Sequence, residues 1–179
     1  TRGMSSAASD VYKRQLGYPF CRGRILGNIE KSDKYNTTRE IFWASGSCFI
    51  IRKSIFKLLN GFDEDFFCHM EEIDLCWRLK NLNSNYKIIT IGKANVYHVG
   101  GGTMQYGENR KNYLNFRNSL VMLIKNLPKK YFIFSMFLRL ICDLFILIFS
   151  VLLFRFGLSF SILSACLLYT SDAADDIPR

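Results

Sequence analysis

The sequence predicts an α/β chain that runs into apolar helices. Two patterns carry this reading. Short apolar runs rich in Ile, Val, Tyr and Phe (IFWASGSCFII at 41–51, YKIITI at 86–91, ANVYHV at 94–99) alternate with stretches whose apolar residues recur at helical spacing. From Tyr131 to Ala165 the chain is then almost wholly apolar.

Composition narrows the class. Hydrophobic residues are 49% of the 179 and aromatics 15%, which excludes a disordered chain. Three prolines and 12 glycines exclude collagen-like and Pro-rich types. Six cysteines with no CxxC pair, and no secretory signal at the start, do not read as a disulfide framework.

The two ends read differently from the middle. Ser5–Gln15, SSAASDVYKRQ, and Cys166–Asp175, CLLYTSDAAD, are translations of complementary strands of one DNA sequence. That string resembles a transposon-type sequencing adapter. Residues 1–15 and 166–179 are therefore expected to be adapter-like, and Leu16–Ala165 an internal piece of a longer gene product.

The elements follow in order. Leu16–Glu40 is polar and basic and reads as loop with short extended pieces. Ile41–Ile51 reads as a strand bent around Ser45-Gly46-Ser47. Arg52–Leu59 is a short helix that Asn60-Gly61 terminates. Phe62–Met70, acidic and aromatic without a period, is a loop. Glu71–Leu82 carries Ile73, Cys76, Trp77 and Leu79 at helical spacing. Tyr86–Ile91 and Ala94–Val99 are short strands, and Gly100–Thr103 is a flexible loop. Arg110–Leu127 is amphipathic, with Tyr113, Phe116, Leu120, Leu123 and Leu127 on one stripe, and Pro128-Lys129-Lys130 breaks it.

The acids are concentrated. Of the eleven in Leu16–Ala165, six lie between Asp63 and Asp74. Asp63, Glu64 and Asp65 fall in the loop, whereas Glu71, Glu72 and Asp74 open the following helix. Acids in a first turn complement the helix dipole, and that alone accounts for them. The same placement holds carboxylates ionised and aimed outward, where one serves as a general base or orients one. Asp74 and Arg78 stand at i,i+4, so an ion pair draws on Asp74. His98 ends a strand and leads into three glycines, a loop that lets backbone N–H groups approach a phosphate; His69 lies beside the acids. Neither histidine belongs to a zinc motif. Arg110, Lys111 and Arg117 follow on the next helix, either as a solvated face or as anion contacts.

Phe42–Gly46, then GFDEDFF at 61–67, EEIDLCWR at 71–78, VYHVGGGT at 96–103 and NFRN at 115–118, together resemble the C-terminal half of a family 2 glycosyltransferase. The nearest subgroup in style is the bacterial rhamnosyltransferase-like enzymes of surface polysaccharide synthesis, and GYPFCRGR at 17–24 resembles its middle segment. The resemblance covers nearly all of Leu16–Asn126.

The resemblance implies a GT-A fold, an α/β layer on a mainly parallel nucleotide-binding sheet, followed by apolar membrane-associated helices. It divides the chain into a partial catalytic domain at 16–127, an acceptor-side half, and an apolar segment at 128–165. It implies inverting transfer of a sugar from a nucleotide-sugar donor to a hydroxyl of a glycan or lipid-linked acceptor. Glu72 matches the general base, flanked by Glu71 and Asp74. His98 matches a ligand of a divalent metal, Mn or Mg, whose other ligands come from a DxD motif expected upstream of Leu16. The piece is accordingly expected to be inactive alone. Trp43, Ser45, Gly46 and Asp63 fall on the acceptor side, with Trp43 either stacking on a sugar face or filling the core. Arg117 contacts the diphosphate or braces the acidic loop.

The apolar tail adds a membrane. Leu144–Phe154 is uncharged over eleven residues, and Lys125, Lys129 and Lys130 precede it. Contact with a membrane surface is expected, on the cytoplasmic face of a bacterial inner membrane. It accounts for the net charge of +9 without nucleic acid, since the basic residues are scattered. The other class left open is a non-enzymatic basic module that binds membrane or nucleic acid.

Overall fold

The computed structural model describes residues 3–4, 16–19, 24–25, 28–29, 37–94, 96–98 and 108–172. The glycine loop Gly100–Thr103 lies outside the described residues. The chain forms two compact units: Thr1–Arg14, Tyr18–Phe67 and Glu71–Met104 in the first, and Gln15–Gly17, Cys68–Met70 and Gln105–Arg179 in the second. The helix before Pro128 lies in the second unit with the two that follow it.

The first unit holds six short strands: β1 (Gly3–Met4), β2 (Arg24–Ile25), β3 (Asn28–Ile29), β4 (Arg39–Ile41), β5 (Ile88–Thr90) and β6 (Tyr97–His98). They pair as antiparallel couples, β1 with β6, β2 with β3 and β4 with β5, with Glu40 opposite Ile89. Among the described residues no strand pair is parallel, so the mainly parallel sheet that the resemblance implies is not seen in them. Gly3–Met4, inside the adapter-like stretch, pairs with Tyr97–His98.

The strand expected over 41–51 stops at Ile41. Local turn chemistry ends it. Ser47 N–H donates to Ser45 Oγ at 3.3 Å, the two serine hydroxyls stand 2.9 Å apart, and Cys48 N–H donates to the Ser45 carbonyl at 3.3 Å. Such side-chain and turn bonds offer the backbone an alternative to a ladder.

Helix α1 (Lys53–Leu58) ends where Asn60-Gly61 predicts. Both residues take positive φ, 58° and 71°, and Gly61 N–H donates back to the Phe56 carbonyl at 2.9 Å. Helix α2 (Glu71–Leu82) has the predicted bounds and buries Ile73, Leu75, Cys76, Trp77 and Leu79. Leu59, Leu75 and Leu79 form a core with Phe49, Ile51, Ile55, Phe56, Tyr86 and Ile88 packed against it. Phe42 meets Trp77 edge-on at 5.7 Å between ring centroids. Lys80 ties β4 to the segment before β5: its ammonium donates to Glu40 Oε1 at 2.8 Å and to the Tyr86 carbonyl at 2.6 Å.

The second unit is helical: α3 (Glu108–Asn126), α4 (Lys129–Leu152) and α5 (Phe156–Asp172). Its core takes Leu114, Leu120, Met122 and Leu123 of α3, Met136 of α4, and Ile162 and Ala165 of α5. Phe154, at φ 56°, turns the chain between α4 and α5. α5 passes the expected boundary at Ala165, since Cys166, Leu167 and Leu168 prolong the apolar run without a helix breaker. Gly17 packs on α3 at φ +69°; a Cβ there would lie 2.7 Å from the Leu123 side chain and 2.9 Å from the Ser119 carbonyl.

Candidate functional site

Glu72 pairs one carboxylate oxygen with the backbone and leaves the other without a partner. Helix α2 begins one residue earlier, so its first turn carries Glu71, Glu72 and Asp74, and the helix dipole favours all three as anions. Glu72 Oε1 accepts the backbone N–H of Gly46 at 3.4 Å, and its Oε2 is buried with no hydrogen-bond partner. Burial holds the Glu72 carboxyl above the ordinary glutamate range, with the neighbouring Glu71 charge adding to it and the Gly46 N–H working against it. A carboxylate with a raised pKa and one unused oxygen is the chemistry of a proton acceptor.

Asp74 is placed otherwise. It is fully buried and accepts from Arg78 Nε at 2.6 Å. Arg78 also donates to the Leu59 carbonyl, and to the Gly61 carbonyl at 2.9 Å. The pair locks the end of α1 to α2, and Asp74 is spent on that. Glu71 buries its Oε2 without a partner, as Glu72 does. Asp63 caps a single 3₁₀ turn, Glu64–Phe66, its Oδ1 accepting the Asp65 N–H at 3.1 Å.

Trp43 is buried. At 5% exposure it fills the core and offers no open face to a sugar. Ser45 and Ser47 line an apolar cavity of about 610 Å³ together with residues such as Ile51, Ile55, Leu75 and Ile88, whereas Gly46 between them turns its N–H to Glu72. Cys76, at the back of the helix, is pushed up to about 11 by burial and stays a thiol. His98 closes β6, and the placement of its side chain lies outside the described structure. Among the described residues no group of three or more His, Cys, Asp or Glu is arranged to hold a metal ion.

In the second unit Arg117 lies on α3. Its NH1 donates to Asn118 Oδ1 at 2.8 Å, and Asn118 Nδ2 donates to the Cys68 and His69 carbonyls at 2.7 and 2.8 Å. Asn118 is fully buried. The segment it holds leads in sequence into α2, and contains non-glycine residues in the left-handed region: Phe67 at 58°, His69 at 71° and Met70 at 75°. Such backbone costs about 1–3 kcal/mol per residue and persists only where the surroundings over-determine it. Sequence reasoning placed Asn118 in the NFRN motif without this role, and missed the strain. The polar Asn118 on a buried stripe was the available signal; non-glycine residues at positive φ leave none.

Comparison with known proteins agrees with the motifs. The family described as "Glycosyltransferase like family 2" matches residues 3–132, well over half of the chain. An N-acetylglucosaminyl-diphospho-decaprenol L-rhamnosyltransferase of Mycobacterium tuberculosis is 38% identical over 60 residues, 34% of this chain and 19% of that protein. The rhamnosyltransferase WbbL of Escherichia coli K12 is 43% identical over 60 residues, 34% of this chain and 22% of its own length. A low-salt glycan biosynthesis hexosyltransferase of Haloferax volcanii is 28% identical over 85 residues, 48% of this chain and 27% of its length. The chain thus spans about a fifth to a quarter of the length of these curated relatives. No solved structure matches. An acid-opened helix after a GFDEDFF loop, in a chain matched from residue 3 to 132, belongs to the glycosyltransferase family 2-like proteins and is rhamnosyltransferase-like.

Proposed function

We propose that the protein carrying this chain transfers a sugar, a hexose of the rhamnosyl type, from a nucleotide-sugar to a hydroxyl of a glycan or lipid-linked acceptor, with inversion, on a GT-A fold. The observation that supports it is Glu72: a carboxylate at a helix N-terminus, one oxygen on the Gly46 N–H and the other buried without a partner. In this reading Glu72 removes the acceptor hydroxyl proton as that oxygen bonds to the anomeric carbon of the donor. The bond from that carbon to the diphosphate oxygen breaks, and the nucleoside diphosphate leaves with the electron pair. Attack opposite the leaving group inverts the centre.

A divalent metal, Mn or Mg, is part of this proposal, and when bound it would neutralise the departing diphosphate. His98 is the one residue of this chain proposed for it, and the described residues assemble no ligand set. We further propose that the protein works on the cytoplasmic face of a bacterial inner membrane, held there by α4 and α5. Among the described residues, α4 alone is long and apolar enough to cross a membrane by length and composition, with a mean hydropathy of 2.4 over its best window.

The test is Glu72→Gln in the full-length enzyme. The amide keeps the size and the Gly46 hydrogen bond but accepts no proton, so kcat falls about 10²–10⁴-fold with donor binding unchanged. A Glu72→Gln rate near wild type, with Glu71→Gln inactive, would move the base by one residue and sink this assignment.

A further inference from the structure

Helix α4 is inside out. Its buried residues are Ser135, Met136, Arg139, Asp143 and Ser150, four of the five polar. Its exposed residues from Tyr131 onward are aromatic or aliphatic, among them Phe134, Phe137, Leu144, Phe145 and Phe149. α5 likewise exposes Phe156, Phe160, Leu163 and Leu167, a stripe at i, i+4, i+7 and i+11. The buried polar groups are satisfied. Arg139 Nε donates to Asp143 Oδ2 at 2.8 Å, its NH2 to Ser119 Oγ at 2.7 Å and its NH1 to the Leu16 carbonyl at 2.8 Å. Ser150 and Ser159 join hydroxyls at 2.7 Å between α4 and α5. Polar groups turned inward and large apolar groups turned outward are the arrangement of a helix in lipid, not in water.

The companion helix decides how deep that lipid reaches. α3 packs along α5 and meets α4 near its middle. Near its first turn, the Asn109 carbonyl accepts the Ser161 hydroxyl at 2.9 Å, and Glu108 stands 3.3 Å from Arg155, just past the end of α4. Near its middle, Ser119 meets Arg139. Between these points α3 carries Arg110, Lys111, Asn112, Asn115 and Arg117, and Glu108, Asn109, Arg110 and Lys111 are exposed. A crossing α4 would carry this polar helix through the hydrocarbon, where each charge is costly. Charge also rims the apolar face at both ends of α4. Lys129 and Lys130 lie at its start, the Lys130 ammonium 4.5 Å above the Tyr131 ring, and Arg155 lies at its finish.

We propose that α4 and α5 form an in-plane docking face: their apolar sides sink into one leaflet of a membrane with anionic head groups, α3 stays on the water side, and neither helix crosses. This rests on the reading of α4 and α5 as membrane-associated, and adds which way they lie. Cations at both rims of one face match anionic head groups on one surface, whereas a span would place its two ends on opposite surfaces.

The experiment separates the two readings. The chain is synthesised cell-free with preformed sealed vesicles, either phosphatidylcholine alone or a 7:3 mixture with phosphatidylglycerol, and floated on a density gradient. The wild type and the variants Lys130→Cys and Arg155→Cys are then treated from outside with an impermeant PEG-maleimide, and the labels are counted by gel shift with and without detergent. The proposal expects flotation favouring the mixed vesicles, and one label more than wild type for each variant before detergent. Flotation with one variant gaining its label only after detergent means a span, which overturns the in-plane proposal and leaves membrane association standing. Failure of the wild type to float with either vesicle overturns both. Equal flotation with the neutral vesicles overturns the choice of anionic head groups. A variant that no longer floats is replaced by Lys129→Cys or Leu153→Cys at the same end, read in the same way.

Discussion

The backbone N–H of Gly46 donates to Glu72 Oε1 at 3.4 Å, joining residues 26 apart in sequence. It fixes one oxygen of the carboxylate, and the other is buried without a hydrogen-bond partner. Gly46 has an ordinary φ, and an added Cβ would stand 3.5 Å from Glu72 Oε1, a normal contact. The glycine is therefore not required for space, and Gly46→Ala should keep both fold and Glu72 geometry; a change in unfolding midpoint of more than about 1 kcal/mol equivalent would say otherwise.

Glu72 should also write itself into the pH dependence. Burial raises its pKa, so the native state holds that proton more tightly than the unfolded chain does. Stability from this group is therefore full below the ordinary glutamate value and is lost as pH rises through the raised native value. Glu72→Gln should be more stable than wild type at neutral pH, with the gap closing in acid, as read by denaturant midpoints over a pH series. In the full-length enzyme the acid limb of kcat/KM should lie above the ordinary glutamate range and vanish in the variant.

Asp74 and Arg78 should behave as one structural unit. Arg78→Ala strands a buried carboxylate and two carbonyls, and should cost about 3–5 kcal/mol of unfolding free energy. Asp74→Asn should be milder in stability and leave the chemical step within about tenfold, since Asp74 already serves Arg78. Loss of all turnover in an Asp74→Asn enzyme that melts normally would make Asp74 the base.

Asn118 should be sensitive to the loss of its donors. Asn118→Leu keeps volume and abandons the Cys68 and His69 carbonyls, so destabilisation of about 2–4 kcal/mol is expected. Amide exchange at residues 67–70 should rise in the same variant. Unchanged exchange there would show that the left-handed backbone is held by other contacts.

Gly17 should reject any side chain. Gly17→Ala meets both a positive φ and Leu123, and a loss of about 1–3 kcal/mol is expected in thermal or denaturant unfolding. Pairing it with Leu123→Ala should recover the packing part and not the backbone part.

The sequence by itself determined α1 and α2 and where they end. α2 came out at Glu71–Leu82 because its periodicity and first-turn acids are local signals, and α1 stopped at Asn60-Gly61 because the left-handed stop is written in two adjacent residues. Motif order gave the family, and the i,i+4 spacing gave the Asp74–Arg78 pair. What only the tertiary structure decided depends on distant partners. Sequence left Trp43 between stacking on a sugar and filling the core, and packing buried it. Spacing named three acids in one turn, and the packing decided that Glu72 reaches the Gly46 N–H across 26 residues. The strand expected after Ile41 gave way to serine turn bonds that outcompeted a ladder. The apolar run from Tyr131 marked its own hydrophobicity, but the inward turn of Arg139 and Asp143 and the company of polar α3 are set by helix packing, which no window along one chain can see.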